Sequence, residues 1–280
     1  MPRRNVPPDR TRTPVTSPAA KRPLVALEGV SKTYLNGTVA LSGVDLAIRR
    51  PEFLSLLGPS GCGKSTILRL IAGLGDLTTG RIEWPRATHD HRGRPQRDLG
   101  FVFQEPTLMP WRTVFGNAYL PFRLKGVSKR EAAPRIMAAL ERVGLAAFAD
   151  AYPRELSGGM KMRVSIARAL VTQPSVLLMD EPFAALDEIT RHRLNDDLLA
   201  LWAGQDWTVV FVTHSVYESV YLSDRIIVMA PRPGRIVADI AVDAPYPRGE
   251  AFRTSALYNE CCRQVSAALR DAMAGHEHEE

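Results

Sequence analysis

The stretch "EFLSLLGPSGCGKSTILRLIA", Glu52–Ala72, decides the fold class. Its opening is a short apolar run that stops at Gly58, as a buried strand does. Its close, from Lys64, puts Ile67, Leu68 and Ile71 on one helical face. Between them, "GPSGCGKST", Gly58–Thr66, fits G-x-x-x-x-G-K-[ST]. Glycines there let the backbone wrap phosphate oxygens, while successive N–H groups and the helix N-terminus point at that charge. The cradle is read as Gly58, Pro59, Ser60, Gly61, Cys62 and Gly63. Lys64 reaches the β- and γ-phosphates, the Ser65 hydroxyl ligates Mg²⁺, and Thr66 holds the α-phosphate side. A plain glycine turn is the alternative; the strand before it and the helix after it favour the cradle.

Working outward, strands are predicted in "LVALEGVSKTY", "VALSGVDLAI", "GRIEW" and "DLGFVFQ". Three continuous apolar runs, "SVLLMD", "WTVVFVTH" and "DRIIVMA", suit a sheet covered on both faces. "GRIVADIAV" is a last strand. Helices are expected at Ile189–Trp202 and through "SKREAAPRIMAALERVGL", where Pro134 argues for an early turn or a break. Composition turns α-rich between about Glu105 and Tyr152. Alternating strands and helices imply an α/β domain with a largely parallel sheet.

"VLLMDEP", Val176–Pro182, ends an apolar strand in two carboxylates. Neighbouring acids at a buried strand end are costly unless a cation or a catalytic task offsets them. Asp180 is therefore assigned to Mg²⁺ through water, and Glu181 to the attacking water as general base. An N-cap pair is the bland alternative. Gln104 and His214 end the strands "GFVFQ" and "VVFVTH", where open α/β sheets place ligands. Gln104 is a candidate for Mg²⁺ and the attacking water, and His214 for the γ-phosphate, the water and Glu181. Tyr34 offers an aromatic face to adenine, though a lone Tyr beside a strand usually packs. "LSGG" ahead of a basic helix makes Ser157, Gly158 and Gly159 a second phosphate contact. One nucleotide has no need of two cradles in one chain, but two chains head to tail would close each other's sites. An ordinary Ser N-cap has the same sequence.

Together these motifs resemble the nucleotide-binding subunit of ABC transporters, over roughly residues 24–242. "GPSGCGKST" matches the P-loop, "FQEP" the Q-loop, "LSGGM" the signature, "VLLMDEP" the Walker B motif, "ALD" the D-loop and "VTHS" the H-loop. "FVFQEPTLMPWRTVFGNAYLPFRLKG" and "THSVYESVYLSDRIIVMAPRPGRIV" look like the nitrate/sulfonate/taurine importer group. The resemblance implies a P-loop ATPase core, an N-terminal antiparallel β subdomain and a helical subdomain at about 105–170. It adds Asp187 to the nucleotide contacts. It also implies ATP and Mg²⁺ as cofactors and a head-to-tail homodimer. The partners are membrane permease subunits and, indirectly, a solute-binding protein, at the cytoplasmic face of the membrane. Met160 stands where the wider superfamily has Gln.

Bulk properties agree. The chain has 280 residues, 45% hydrophobic and 24% charged, and no apolar run of about 20 residues for a membrane span. Met1–Pro23 reads as a disordered Pro/Arg-rich tail without an apolar signal core. It carries much of the +6 net charge, which therefore says little about nucleic acid, and no nucleic-acid partner is expected. The ATPase domain is expected at 24–245. A C-terminal helix, "EAFRTSALYNECCRQVSAALRDAM", and a charged tail fill 246–280, with Cys261 and Cys262 on a helix face. "HEHEE" reads as frayed charge rather than a chelator. The rival functions are a soluble non-transport ABC ATPase and a non-hydrolysing regulatory module. No long coiled coil or second cassette supports the first, and intact Glu181, Gln104 and His214 oppose the second. The solute stays open among nitrate, sulfonates, taurine and pyrimidine precursors.

Overall fold

A computed structural model of the chain describes residues 23–88 and 95–277. The expected N-terminal tail, except Pro23, and the last three residues lie outside the described residues. The chain forms two sheets. Strands β1 (Val25–Thr33), β2 (Val39–Ile48) and β4 (Thr79–Glu83) build an antiparallel sheet in the order β2-β1-β4. Strands β3 (Phe53–Leu57), β5 (Leu99–Val102), β6 (Val176–Asp180), β7 (Thr208–Thr213), β8 (Arg225–Met229) and β9 (Ile236–Ala241) build the second. Its order is β5-β6-β7-β3-β8-β9. All neighbours in it are parallel except β8 and β9.

The continuous apolar runs are the strands buried on both faces. Along β3, Phe53 and Leu57 enter one core and Leu54 and Leu56 the other, as a period of two requires. The second of these cores also takes Leu27, Ile48, Ile67 and Ile71, joining the antiparallel sheet and helix α1 (Lys64–Ala72) to the parallel sheet. The first takes the other helices. These are α2 (Val114–Ala118), α3 (Leu120–Leu124), α4 (Lys129–Arg142), α5 (Gly158–Leu170), α6 (Glu188–Trp202), α7 (Val216–Leu222), α8 (Glu250–Arg253) and α9 (Ala256–Glu277). Cys261 and Cys262 are both buried against this core.

Three expectations are corrected. Pro134 does not interrupt α4: it lies on the exposed face, so the carbonyl its ring leaves unbonded faces water. The helix is instead opened by Ser128, whose hydroxyl accepts from Glu131 N. The C-terminal helix is two helices, parted at Thr254–Ser255, where Ser255 Oγ accepts from Tyr258 N and starts α9. Gln104 lies two residues past the end of β5, and His214 just past β7, rather than within their strands. Helix α7, not anticipated from the sequence, begins directly after His214 with Ser215 as its cap.

Candidate active site

Strands β6, β7 and β3 are neighbours, and their register pairs Asp180 with Val212 and Leu57 with Thr213. That brings the residues after each strand to one rim: Gly58, Glu181 and His214. Gly58 begins a loop with no room for a side chain, since a Cβ there would lie 2.8 Å from Cys62 Sγ and 2.9 Å from Met229 O. Gly63 closes it in the left-handed region at φ 97°, with a Cβ position 2.6 Å from the Leu41 side chain. Because Gly63 is the N-cap of α1, no side chain caps that helix, and its first-turn N–H groups are left to a ligand.

Lys64 is only 3% exposed. Its ammonium donates to Gly58 O at 2.7 Å and Pro59 O at 2.9 Å, and stands 3.7 Å from Glu181 Oε1. Ser65 Oγ donates to Asp180 Oδ1 at 2.7 Å. Burial pushes the Asp180 carboxyl above its ordinary range, against the pull of the Ser65 hydrogen bond. Glu181 is a non-glycine residue at φ 44°, a conformation that costs about 1–3 kcal/mol and persists where surroundings over-determine it. Its surroundings do so: its N–H bonds Val212 O at 3.1 Å, and Oε2 lies 3.2 Å from His214 Nδ1. The Tyr34 hydroxyl lies 3.3 Å from Thr66 Oγ1, which sets a half-exposed aromatic ring beside the loop's helix. Cys62 is the exception within the cradle. Its side chain is turned inward, and burial raises its thiol, so only its backbone is available to a ligand.

Thus Lys64, Ser65, Asp180, Glu181 and His214 come together. Gln104 is exposed, and no hydrogen bond ties it to them among the described residues. Ser157 caps α5, accepting from Met160 N at 3.3 Å, and is likewise not joined to the loop. A Cβ at Gly159 would meet Thr190 Cγ2 at 2.9 Å, so this glycine also serves the packing of α5 on α6. Asp187 N-caps α6, and the Thr190 N–H holds its carboxyl below the usual range.

Sequence reasoning missed several arginines. Arg168 bonds the segment after Gln104. Arg163 donates to Val143 O and pairs with Asp197. Arg191 donates to Leu186 O at 2.8 Å, next to Asp187. Arg232 donates to Gly61 O at 3.2 Å from the β8–β9 loop. Each reaches a backbone carbonyl far away in sequence or in a loop, which side-chain periodicity does not encode.

The arrangement fits a nucleotide triphosphate: an uncapped helix N-terminus, a buried ammonium and a polarising Glu–His pair converge on one rim. It also fits a small hard cation. Among the described residues no cluster of three or more His, Cys, Asp or Glu stands ready for a metal. The oxygen pair Ser65–Asp180 suits an ion that completes its shell with phosphate oxygens and water.

Comparison with known proteins agrees. The sequence profile described as "ABC transporter" matches residues 41–184. An uncharacterized ABC transporter ATP-binding protein of Methanocaldococcus jannaschii is 47% identical over 236 residues, covering 84% of this chain and 86% of that one. A taurine import ATP-binding protein of Rhizobium johnstonii is 47% identical over 206 residues (73% and 77% covered). An aliphatic sulfonates import ATP-binding protein of Bacillus cereus is 40% identical over 246 residues (86% and 94% covered). A dimeric ATP-binding cassette solved in a post-hydrolysis state with ADP and Pi superposes with TM-score 0.68 at 34% identity. It covers 79% of this chain and 100% of its own. Fold, rim and relatives lead to one conclusion: the chain belongs to the ABC transporter family, as one of its ATP-binding ATPase cassettes.

Proposed function

We propose that this chain energises a membrane importer for a small sulfonate-type solute, hydrolysing ATP as one half of a head-to-tail pair. The observation that carries the hydrolytic part is Glu181, held between the Lys64 ammonium and the His214 ring. A γ-phosphate at Lys64 competes with Glu181 for the same ammonium and frees the carboxylate to take a proton from water. His214 Nδ1 steadies that carboxylate, and its exposed ring is positioned for the γ-phosphate. Tyr34 stacks on the base, and the backbone of Gly58–Thr66 binds the phosphates. Ser65 and Asp180, with Gln104, would hold Mg²⁺, which would supply charge neutralisation on the phosphate oxygens.

Ser157, Gly158 and Gly159 complete the site of a second copy, with Asp187 beside it. The exposure of Ser157 and Gly158 at an α-helix N-terminus, apart from their own chain's loop, supports that reading. Among the described residues no helix is long and apolar enough to cross a membrane. In this reading a separate permease provides the path, and the chain works at its cytoplasmic face. A groove of about 390 Å³ between β5, α3 and α5 supports the docking of a permease segment. It is lined by Phe101, Phe103, Leu120, Pro121 and Leu124, the last 79% exposed.

The solute class rests on the relatives named for taurine and aliphatic sulfonates. The test is ATP-dependent uptake of taurine or ethanesulfonate into proteoliposomes carrying this chain with the permease and binding protein encoded beside it. Uptake supports the reading. ATP hydrolysis without uptake of either solute, in a complex that imports something else, removes the sulfonate assignment.

A further inference from the structure

Arg168 stands near the end of α5, eleven residues beyond the Ser157 cap that begins the helix. Its guanidinium makes three hydrogen bonds to the segment just after Gln104. Nη1 donates to Thr107 O at 2.9 Å, and Nη2 donates to Pro106 O at 2.9 Å and to Thr107 Oγ1 at 3.0 Å. A fourth, to Ser165 Oγ at 3.3 Å, ties the same group to its own helix. Thr107 is left-handed at φ 47°, which a β-branched residue adopts only when held. Arg168 does the holding. Burial lowers its pKa from the ordinary arginine value, although no carboxylate pairs with it among the described hydrogen bonds and ion pairs. A half-buried cation whose partners are backbone carbonyls rather than a carboxylate is a costly arrangement, and a fully solvated helix-face charge would not adopt it.

The helix beneath Arg168 is itself seated. A Cβ on Gly100 of β5 would lie 2.7 Å from Ala169 O, so the last turn of α5 and the strand leading to Gln104 are in contact. Thr107 and Arg168 also both line the apolar groove beside α3. One guanidinium therefore touches the groove wall, the Gln104 segment and a helix of about 1.5 Å rise per residue that begins at Ser157.

We propose that Arg168 is a positioning residue: it sets the Gln104 segment from the signature helix, so that occupation of the groove moves Gln104 and Ser157 together. This rests on the proposed ATPase and permease roles. It concerns a residue that touches neither nucleotide nor reacting water.

The test uses the full chain, alone and with its permease, carrying Arg168→Lys and Arg168→Met. In both variants equilibrium ATP affinity is expected within about twofold of wild type, while permease-stimulated kcat falls about tenfold or more with KM little changed. Lys, which reaches fewer of the acceptors, recovers part of the loss. Amide hydrogen exchange across 103–108 accelerates in the chain alone, before any turnover is asked of it. Should Arg168→Met fold poorly, Thr107→Ser, which keeps Oγ1, and Thr107→Ala, which removes it, both lose the γ-methyl and β-branching; the loss by Ala relative to Ser reports the Oγ1 acceptor and is smaller than that of Arg168→Met, in the same direction. Wild-type exchange at 103–108 with unchanged kcat overturns the proposal. So does a loss confined to thermal stability and active fraction, with kcat per active site intact. If the wild-type complex hydrolyses no ATP, the function reading fails, and the exchange measurement still decides the role of Arg168.

Discussion

Ser65 and Asp180 lie 115 residues apart, yet the Ser65 hydroxyl donates to the Asp180 carboxylate at 2.7 Å on neighbouring elements of the rim. Asp180 is nevertheless raised from its ordinary value of 3.8, because burial outweighs that one donor. A carboxyl raised in the fold contributes stability that is full below the unfolded pKa and is lost as pH rises through the folded one. At neutral pH the charged Asp180 is therefore a cost. Asp180→Asn keeps an acceptor for Ser65 and removes the charge. It should melt higher than wild type at pH 8, with the gain shrinking toward pH 4, and should lose Mg²⁺-dependent ATPase activity. Melting curves of both proteins across pH check the first part; an equal or lower melting temperature at pH 8 refutes it.

Glu181→Gln should retain ATP binding while turnover falls by about 10²–10⁴-fold, the range for loss of a general base. Gln accepts the same backbone conformation and keeps the packing, so the loss reports proton transfer rather than folding. Single-turnover hydrolysis with the permease present is the measurement. Hydrolysis at the wild-type rate would mean that another group activates the water.

Gly159 separates packing from ligand contact. Gly159→Ala should destabilise the chain by about 1–3 kcal/mol, because the new Cβ meets Thr190 Cγ2 at 2.9 Å. Pairing it with Thr190→Ser removes that methyl and should restore stability in urea titrations. If Gly159 also faces a partner's phosphate, the stable double variant still shows weakened ATP-driven association. Full recovery of association would leave the glycine a packing role alone.

Shared sites can be counted by mixing. A Ser157→Arg chain and a Lys64→Ala chain each spoil both sites of their own homodimer. Their heterodimer keeps one intact Lys64 facing one intact Ser157. Analytical ultracentrifugation with ATP should show association of the mixture beyond either parent. Equal behaviour of mixture and parents would count against sharing.

The strands and the phosphate loop were legible because their signals are local: apolar runs, glycine punctuation and a fixed motif spacing. Helix α7 had a local signal as well, the Ser215 and Glu218 spacing of an N-cap, but lay hidden between two strong strands. Pro134 misled because its cost depends on exposure: on a solvent-facing turn, water takes the carbonyl it frees. The pairing of Glu181 with both Lys64 and His214 follows from strand order, which no single segment records. The arginine contacts to Gly61, Pro106, Thr107, Val143 and Leu186 are further removed, since backbone carbonyls carry no residue identity to read.

His214 occupies one residue between the end of β7 at Thr213 and the Ser215 cap of α7. Both flanks are register-locked, one by the sheet and the other by a capped helix. Glu181 is fixed on one flank, directly after β6, and Lys64 directly opens α1. An inserted or deleted residue at any of these junctions would turn the functional group away from the rim while leaving every motif letter in place. In this cassette, the chemistry depends on the chain's length between elements as much as on which residues it carries.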